Sequence, residues 1–545
     1  MPAYIKPQLL GASAHYRSML ALNPKTTEFL VLLLFLYIVK RCLFRYYGKG
    51  LPPGPPGYPI IGNIFDVPSE RQWIAYRDIS KRYCSDIIGI KLWGTPLIVV
   101  NSLEAANDLF RERSSNYSDR PRFTMVNELV GFTWNLGFMP YGNEWKENRK
   151  GFRQELNPRK VVHYRPSMIS ATEQLLRRLL DKPDDFMRHL RYMAGTTVLS
   201  IAYGIQVQPE NDPFIEIAER ANHALVCATN SGSYLVDQLP FLKYVPEWFP
   251  GAGFKRQAKE WCKDASAMPI LAFDFVKDAM AKGDFVPSVA SRYLENLAAE
   301  HPNESGSSCH RPEAEKLLSN VLATIYIAGA DTTVSALASF ILGLVKNPDA
   351  QRKGQLAVDE LTGGERLPDF SDIESVPYID ALLREALRWN PVVPLGIPHK
   401  SIEDDVYNGY YIPGGTTIIA NGWAMLHDEA TYGPNPHLFN PDRFLKEDGT
   451  LDPNVPFPEP AFGFGKRTCS GRELGVASIW ISIACILACF DVTKAVDEDG
   501  NVIEPSGEYT SGFLCYPLPF KCSIRPRSKR AEEMIRHAKE VDGAL

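Results

Sequence analysis

Paired cysteine spacing is missing from this chain. Its ten cysteines stand at 42, 84, 227, 262, 309, 469, 485, 489, 515 and 522 of 545 residues, with no Cys-x-x-Cys among them. That scatter excludes a disulfide framework and fits a reducing compartment. A basic excess is missing too: 59 Lys+Arg stand against 64 Asp+Glu, a net charge of -5. With no surplus to neutralise phosphates, nucleic-acid binding is disfavoured. No repeat of roughly 20 to 50 residues occurs, and no Gly- or Ser-rich linker interrupts residues 64–525. One domain over that range is the simplest organisation. A composition 45% hydrophobic and 23% charged supports a large core and excludes a disordered or collagenous chain.

One apolar run opens the chain, Phe29 to Val39, followed at once by Lys40 and Arg41 and then by Arg45 and Lys49. It reaches spanning length over residues 26–45 by recruiting Thr26, Thr27, Leu43 and Phe44, with the basic side chains snorkelling. The basic flank places its C-terminal side in the cytosol. A late start and the lack of a small-residue cleavage site weigh against a secretory signal. Residues 1–25 are then a tail before a single transmembrane anchor. Residues 46–63 are basic and proline-rich, and Leu51-Pro-Pro-Gly-Pro-Pro-Gly57 can be neither helix nor central strand, which predicts a stiff hinge. Residues 526–545 read as a charged tail with no core pattern.

Beyond residue 63 helices dominate. Apolar periodicity predicts them at about 165–204, 213–229, 255–281, 313–346 and 371–389, with a loop around 300–315. Asp86–Trp93 and Leu97–Val100 flank Gly94-Thr95-Pro96 as a hairpin, and Asn408-Gly409 marks a second within Asp405–Ile412. The fold class is mainly α with small peripheral β-sheets.

The chemistry centres on Phe462-Gly-Phe-Gly465-Lys-Arg467-Thr-Cys469-Ser-Gly471, just before an apolar helical run from Glu473 to Phe490. A thiolate that binds iron in an apolar setting needs amide donors and a positive helix end. Gly465 and Gly471 let the chain turn tightly enough to bring amides to the sulfur. Phe462 can shield it from water, and Arg467 can reach a carboxylate of the cofactor. Most free cysteines are buried small hydrophobes, and Cys485 and Cys489 are read that way. Phe462, Gly465, Arg467, Cys469 and Gly471 match the haem-binding signature of the cytochrome P450 family. The chain resembles that family over nearly its whole length, most of all fungal microsomal members such as the O-methylsterigmatocystin oxidoreductase-like enzymes.

The resemblance implies a cytochrome P450 fold, haem held by the Cys469 thiolate, and insertion of one atom of O2 into an apolar small molecule in fungal secondary metabolism. It implies electrons from an NADPH–cytochrome P450 reductase, with cytochrome b5 as a second donor, and an endoplasmic reticulum membrane location with the catalytic domain cytosolic. Ala328-Gly-Ala-Asp331-Thr332-Thr333 matches the family's acid and alcohol pair: Thr332 would steer water and deliver a proton, and Asp331 would relay protons from solvent. Trp145, Arg149 and His399 would bind the haem propionates. Glu385 and Arg388, by themselves an i, i+3 pair worth tenths of a kcal/mol on a solvated face, would form a structural triad with Arg443.

Three further readings complete the set. Lys146, Arg149, Lys150 and Arg153, with Lys466 and Arg472, could attract an acidic electron donor. Val126, Leu129, Phe132, Trp134, Val393, Leu395, Phe513 and Leu514 could wall an apolar pocket. A haem-thiolate isomerase, dehydratase or peroxygenase, or a non-enzymatic haem sensor, would share Cys469 but have no use for Asp331 and Thr332 together.

Overall fold

Trp93 (φ 51°) and Gly94 (φ 81°) turn the chain back between β1 (Ile87–Leu92) and β2 (Thr95–Val100). Two consecutive residues in the left-handed region make the tight turn that matches strand twist. Thr95 and Pro96, expected in the turn, are therefore part of β2. The order of the four-stranded sheet is β1-β2-β6-β3, with β3 (His399–Lys400) and β6 (Thr417–Ala420) arriving from late in the chain. Pairing of β2 with β6 is parallel and starts at Leu97↔Thr417, so Pro96, which has no N–H to give, sits just outside it. The Asn408-Gly409 turn joins β4 (Asp405–Tyr407) to β5 (Tyr410–Ile412). This hairpin belongs with the residues up to Pro52 to a small separate unit, while Pro53–Glu403 with Pro413 onwards forms the unit that carries the site.

The structure, a computed structural model, describes residues 50–230, 233–300 and 310–538 and a few helical positions between Glu28 and Tyr37. The anchor read over 26–45 thus lies mostly outside the described residues. The hinge read over 46–63 is docked from Pro53 onward. Gly89 N donates to Pro53 O at 3.0 Å, and the buried Asn63 side chain bonds Pro55 O, Asp66 and Lys91 N, each at 2.9 Å.

The helices that frame the site are α1 (Asn143–Glu155), α2 (Arg165–Asp181), α3 (Phe186–Tyr203), α4 (Pro213–Thr229), α5 (Gly253–Lys282), α6 (His310–Lys346), α7 (Pro377–Trp389) and α8 (Arg472–Cys489). The single helix expected over 165–204 is two, because Pro183 opens a 3-10 turn at Pro183–Asp185 where an interior amide would be lost. Helix α6 begins at His310, so residues 310–315 of the expected loop are helical and 301–309 lie outside the described residues. Helices α6 and α8 are long and apolar enough to cross a membrane, yet most of each is buried inside the protein. They are its core. Where α3 crosses α6, a Cβ on Gly329 would meet Val198 at 2.7 Å, and a Cβ on Gly195 of α3 would meet Ile215 of α4 at 3.2 Å.

The charged tail expected from 526 is corrected. Pro526 still belongs to β8 (Cys522–Pro526), paired with β7 (Phe490–Lys494). Helix α9 (Lys529–His537) follows, capped by Ser528 and burying Ala531 and Ile535. Two apolar residues four apart on a charged helix are enough to make one docking stripe.

Candidate active site

The cysteine loop is held by backbone. Gly465 sits at φ 55°, and a Cβ there would fall 1.9 Å from Phe110 O, so only glycine fits. Cys469 N donates to Phe462 O at 2.7 Å, and α8 starts three residues later. The Cys469 sulfur has free surface, but that surface faces an internal cavity of about 350 Å³ and the residue lies deep in the protein. Burial raises the thiol pKa; the Gly471 N–H and the charges of Arg149 and Arg472 pull it the other way. Phe462 lines the same cavity and stacks on Phe457 with centroids 6.2 Å apart.

Trp145, Arg149, His399 and Arg467 line this cavity together, and Arg120 joins them. Arg467 donates to the carbonyls of Ser118 (2.8 Å), Leu136 (3.3 Å) and Met139 (2.9 Å), and its guanidinium lies 4.4 Å from the Trp145 ring centroid. Arg120 donates to Gly137 O (2.8 Å), Ile397 O (2.6 Å) and Pro398 O (2.9 Å). Burial, then Arg153, lowers the Arg149 pKa to about 10. Burial and Arg149 bring Arg467 to about 10 against the pull of Asp119. Burial and Arg120 hold His399 well below its ordinary value, hence neutral. No carboxylate lines the cavity among the described residues. Cations crowded this way have room for an anion.

Thr332 of α6 faces the cavity, and its hydroxyl donates to Ala328 O, one turn back, at 2.8 Å. Asp331 does not join it. Successive helical residues point about 100° apart, and Asp331 lines a separate recess with Arg191 and Glu219. Burial raises its pKa, opposed by a hydrogen bond from Tyr516 and by Arg191.

Glu385 and Arg388 of α7 are wholly buried, not on a solvated face. Arg388 Nε and Nη2 grip the carboxylate at 2.6 and 2.9 Å, and the guanidinium also donates to Leu426 O and Pro436 O. Glu385 Oε1 also accepts from Arg443 Nε at 3.3 Å and from Asn440 N at 2.7 Å. On the outer side of α1, Lys146 and Lys466 approach one ring, Tyr141, at 5.5 and 5.4 Å. The two basic segments therefore meet.

A family model described as Cytochrome P450 matches residues 52–524. The chain belongs to the cytochrome P450 family. It is 43% identical over 89% of its length to 92% of Cytochrome P450 monooxygenase 98 from Postia placenta. It is 42% identical to Cytochrome P450 monooxygenase ple1 from Rhodocybe pseudopiperita, over 89% of this chain and 91% of that one. Tryptamine 4-monooxygenase from Psilocybe cyanescens is 39% identical, over 92% and 98%. As a cytochrome P450 this protein is a haem-dependent monooxygenase, and its residues fit the group. Arg149 Nε is buried without a partner. Arg120 and Arg467 each keep guanidinium N–H groups beyond those given to carbonyls, which is what two propionates need. A thiol opens on the same space.

The apolar wall of this P450 is partly as expected. Val393, Phe513 and Leu514 line the cavity, whereas Val126, Leu129, Phe132, Trp134 and Leu395 do not. Val126 and Phe132 are fully buried core, Trp134 is turned to donate to Ala265 O of α5 at 3.1 Å, and Leu395 lies at a smaller pocket beside Ile419. Asn135, Leu136 and Phe138 take their place. Sequence reasoning missed Arg120 and Tyr516.

Proposed function

We propose that the Cys469 thiolate would hold the haem iron and that this site inserts one atom of O2 into a small molecule of fungal secondary metabolism, terpenoid or aromatic. One observation carries the reading: the Cys469 sulfur, the cationic cluster and the Thr332 hydroxyl all open on one cavity. Haem bound there supplies the redox chemistry that splits dioxygen. The protein does the rest. The Gly471 N–H holds charge on sulfur, Phe462 keeps water away from it, and Trp145, Arg149, His399, Arg467 and Arg120 fix the propionate end. Thr332 orients water and passes a proton at Oγ1. Asp331, from the recess behind, exchanges protons between Thr332 and solvent, held by Tyr516.

Thr332→Ala is expected to keep consuming NADPH while product per NADPH falls about 100-fold and peroxide rises, the low end of the usual range for a lost proton donor. Unchanged product per NADPH removes Thr332 from the mechanism.

Electrons arrive from a flavin-containing NADPH reductase docked over Lys146, Lys150, Arg153 and Lys466, with cytochrome b5 as a second donor. The meeting of Lys146 and Lys466 at Tyr141 supports this. Reversing charge at Lys146 and Lys150 is expected to slow reduction about 10-fold at low salt and to flatten its salt dependence, as removal of electrostatic steering does. Stopped-flow reduction across ionic strength checks it; an unaltered salt dependence ends the idea. Placement on the endoplasmic reticulum by a single N-terminal anchor is supported by Phe241, Tyr244, Trp248 and Phe249, all exposed between α4 and α5, a composition suited to the interfacial zone of a bilayer.

The deciding experiment supplies NADPH, a reductase and isotopically labelled dioxygen to the haem-loaded enzyme with a panel of fungal terpenoid and aromatic precursors. One labelled oxygen per product is expected. Unlabelled product formed without NADPH would instead mark an isomerase or dehydratase.

A further inference from the structure

Beyond its cationic end the cavity wall is apolar, with Phe138, Val198, Leu225, Val393, Phe513 and Leu514. Several polar side chains in the lining are satisfied locally. Thr197 donates to Met193 O (2.9 Å) and Thr324 to Asn320 O (2.8 Å), and Asn135 Oδ1 accepts from Gly137 N (2.9 Å). Asn222 of α4 is different. It is 4% exposed and its Nδ2 donates to Ile327 O at 3.2 Å, which leaves Oδ1 with no bond among the described residues. Asn222 lines the apolar cavity, where an amide carbonyl gains from a donor that a ligand brings to it.

What that partner cannot be is a cation. An ammonium taken out of water into an apolar site without a counter-ion costs several kcal/mol, and no acid lines the cavity. Two acids, Asp331 and Glu219, line a separate recess of about 20 Å³ that also touches Asn222, space for one water and no ligand.

We infer that the substrate is a neutral, mostly apolar molecule bearing a hydroxyl that donates to Asn222 Oδ1, and that amines are excluded although one relative is named for tryptamine. This rests on the cavity being the oxygenation site.

The test is a spectral titration of the haem-loaded enzyme, following the shift of its main haem band as ligand binds. The probes are matched sets of alcohol, ketone, hydrocarbon and quaternary ammonium on terpenoid and indole skeletons; the quaternary nitrogen cannot ligate iron. In at least one set the alcohol is expected to bind about tenfold tighter than the hydrocarbon or the ketone, the size of one net hydrogen bond, and the ammonium not at all. Asn222→Leu should bring that ratio to near one, and Asn222→Asp should turn the preference towards the ammonium. The inference is overturned if the ammonium binds as well as the alcohol to the parent enzyme, if the ratio survives both substitutions, or if no probe shifts the band. A thiolate-type carbonyl spectrum, recorded first on the parent and each variant, separates these outcomes. Its absence from the parent defeats the oxygenation reading itself, and its presence in either variant is enough to score that variant.

Discussion

Cys469→Ser is expected to lose the thiolate-type carbonyl spectrum and to lower product formation more than about 10³-fold, a barrier rise of roughly 4 kcal/mol. A serine hydroxyl stays protonated where the thiol, aided by the Gly471 N–H and by Arg149 and Arg472, can give up its proton. The informative comparison is Cys485→Ser. That thiol is also buried, but it faces Pro368 O at 3.6 Å and not the cavity, so its replacement should touch stability and leave the spectrum intact. A thiolate-type spectrum surviving in Cys469→Ser would end the assignment.

The second large effect belongs to Arg388. Arg388→Ala leaves Glu385, wholly buried, with its charge met by Arg443 alone, and strands the carbonyls of Leu426 and Pro436. Breaking a buried pair in this way costs roughly 3–5 kcal/mol, much of the 5–15 kcal/mol that a domain usually has. The expected result is little soluble protein and no haem uptake at 37 °C, measured by haem content per folded protein. Arg388→Lys should fail nearly as badly, because an ammonium cannot span a carboxylate and two carbonyls in one plane. The exposed pair Arg536–Glu532 at 2.9 Å is the contrast: removing it should cost about 0.5 kcal/mol or less. If both pairs cost the same, the triad is no structural lock.

The difference between those two pairs shows where sequence stops being legible. Glu385 and Arg388 have the spacing of any solvated helical pair. What buries them is packing of α7 against segments some 40 to 60 residues later, which no local pattern encodes. The cysteine loop could be read because its requirements are local: a glycine at positive φ, an amide near sulfur, a helix start. Hairpins and long helices could be read for the same reason. Arg120 could not, since it lies in irregular chain and its partners at Ile397 and Pro398 are more than 270 residues away. The separation of Asp331 from Thr332 could have been foreseen, as neighbours on a helix rarely share a face. The substrate wall failed at Phe132 and Trp134 because apolar residues beside a site and apolar residues of the core look alike in composition.

At Gly329 and Gly195, α6 packs on the Val198 side chain of α3 and α3 on the Ile215 side chain of α4, with no room for a Cβ at the first and little at the second. Close-packed joints of this kind transmit displacement instead of absorbing it. A bulky guest that displaces α4 is then expected to shift α3 and, through it, the stretch of α6 that bears Thr332. Oversized molecules would then be poorly hydroxylated even when they bind, because seating them would distort the turn proposed to pass protons through Thr332, and most of the electrons they draw would be wasted.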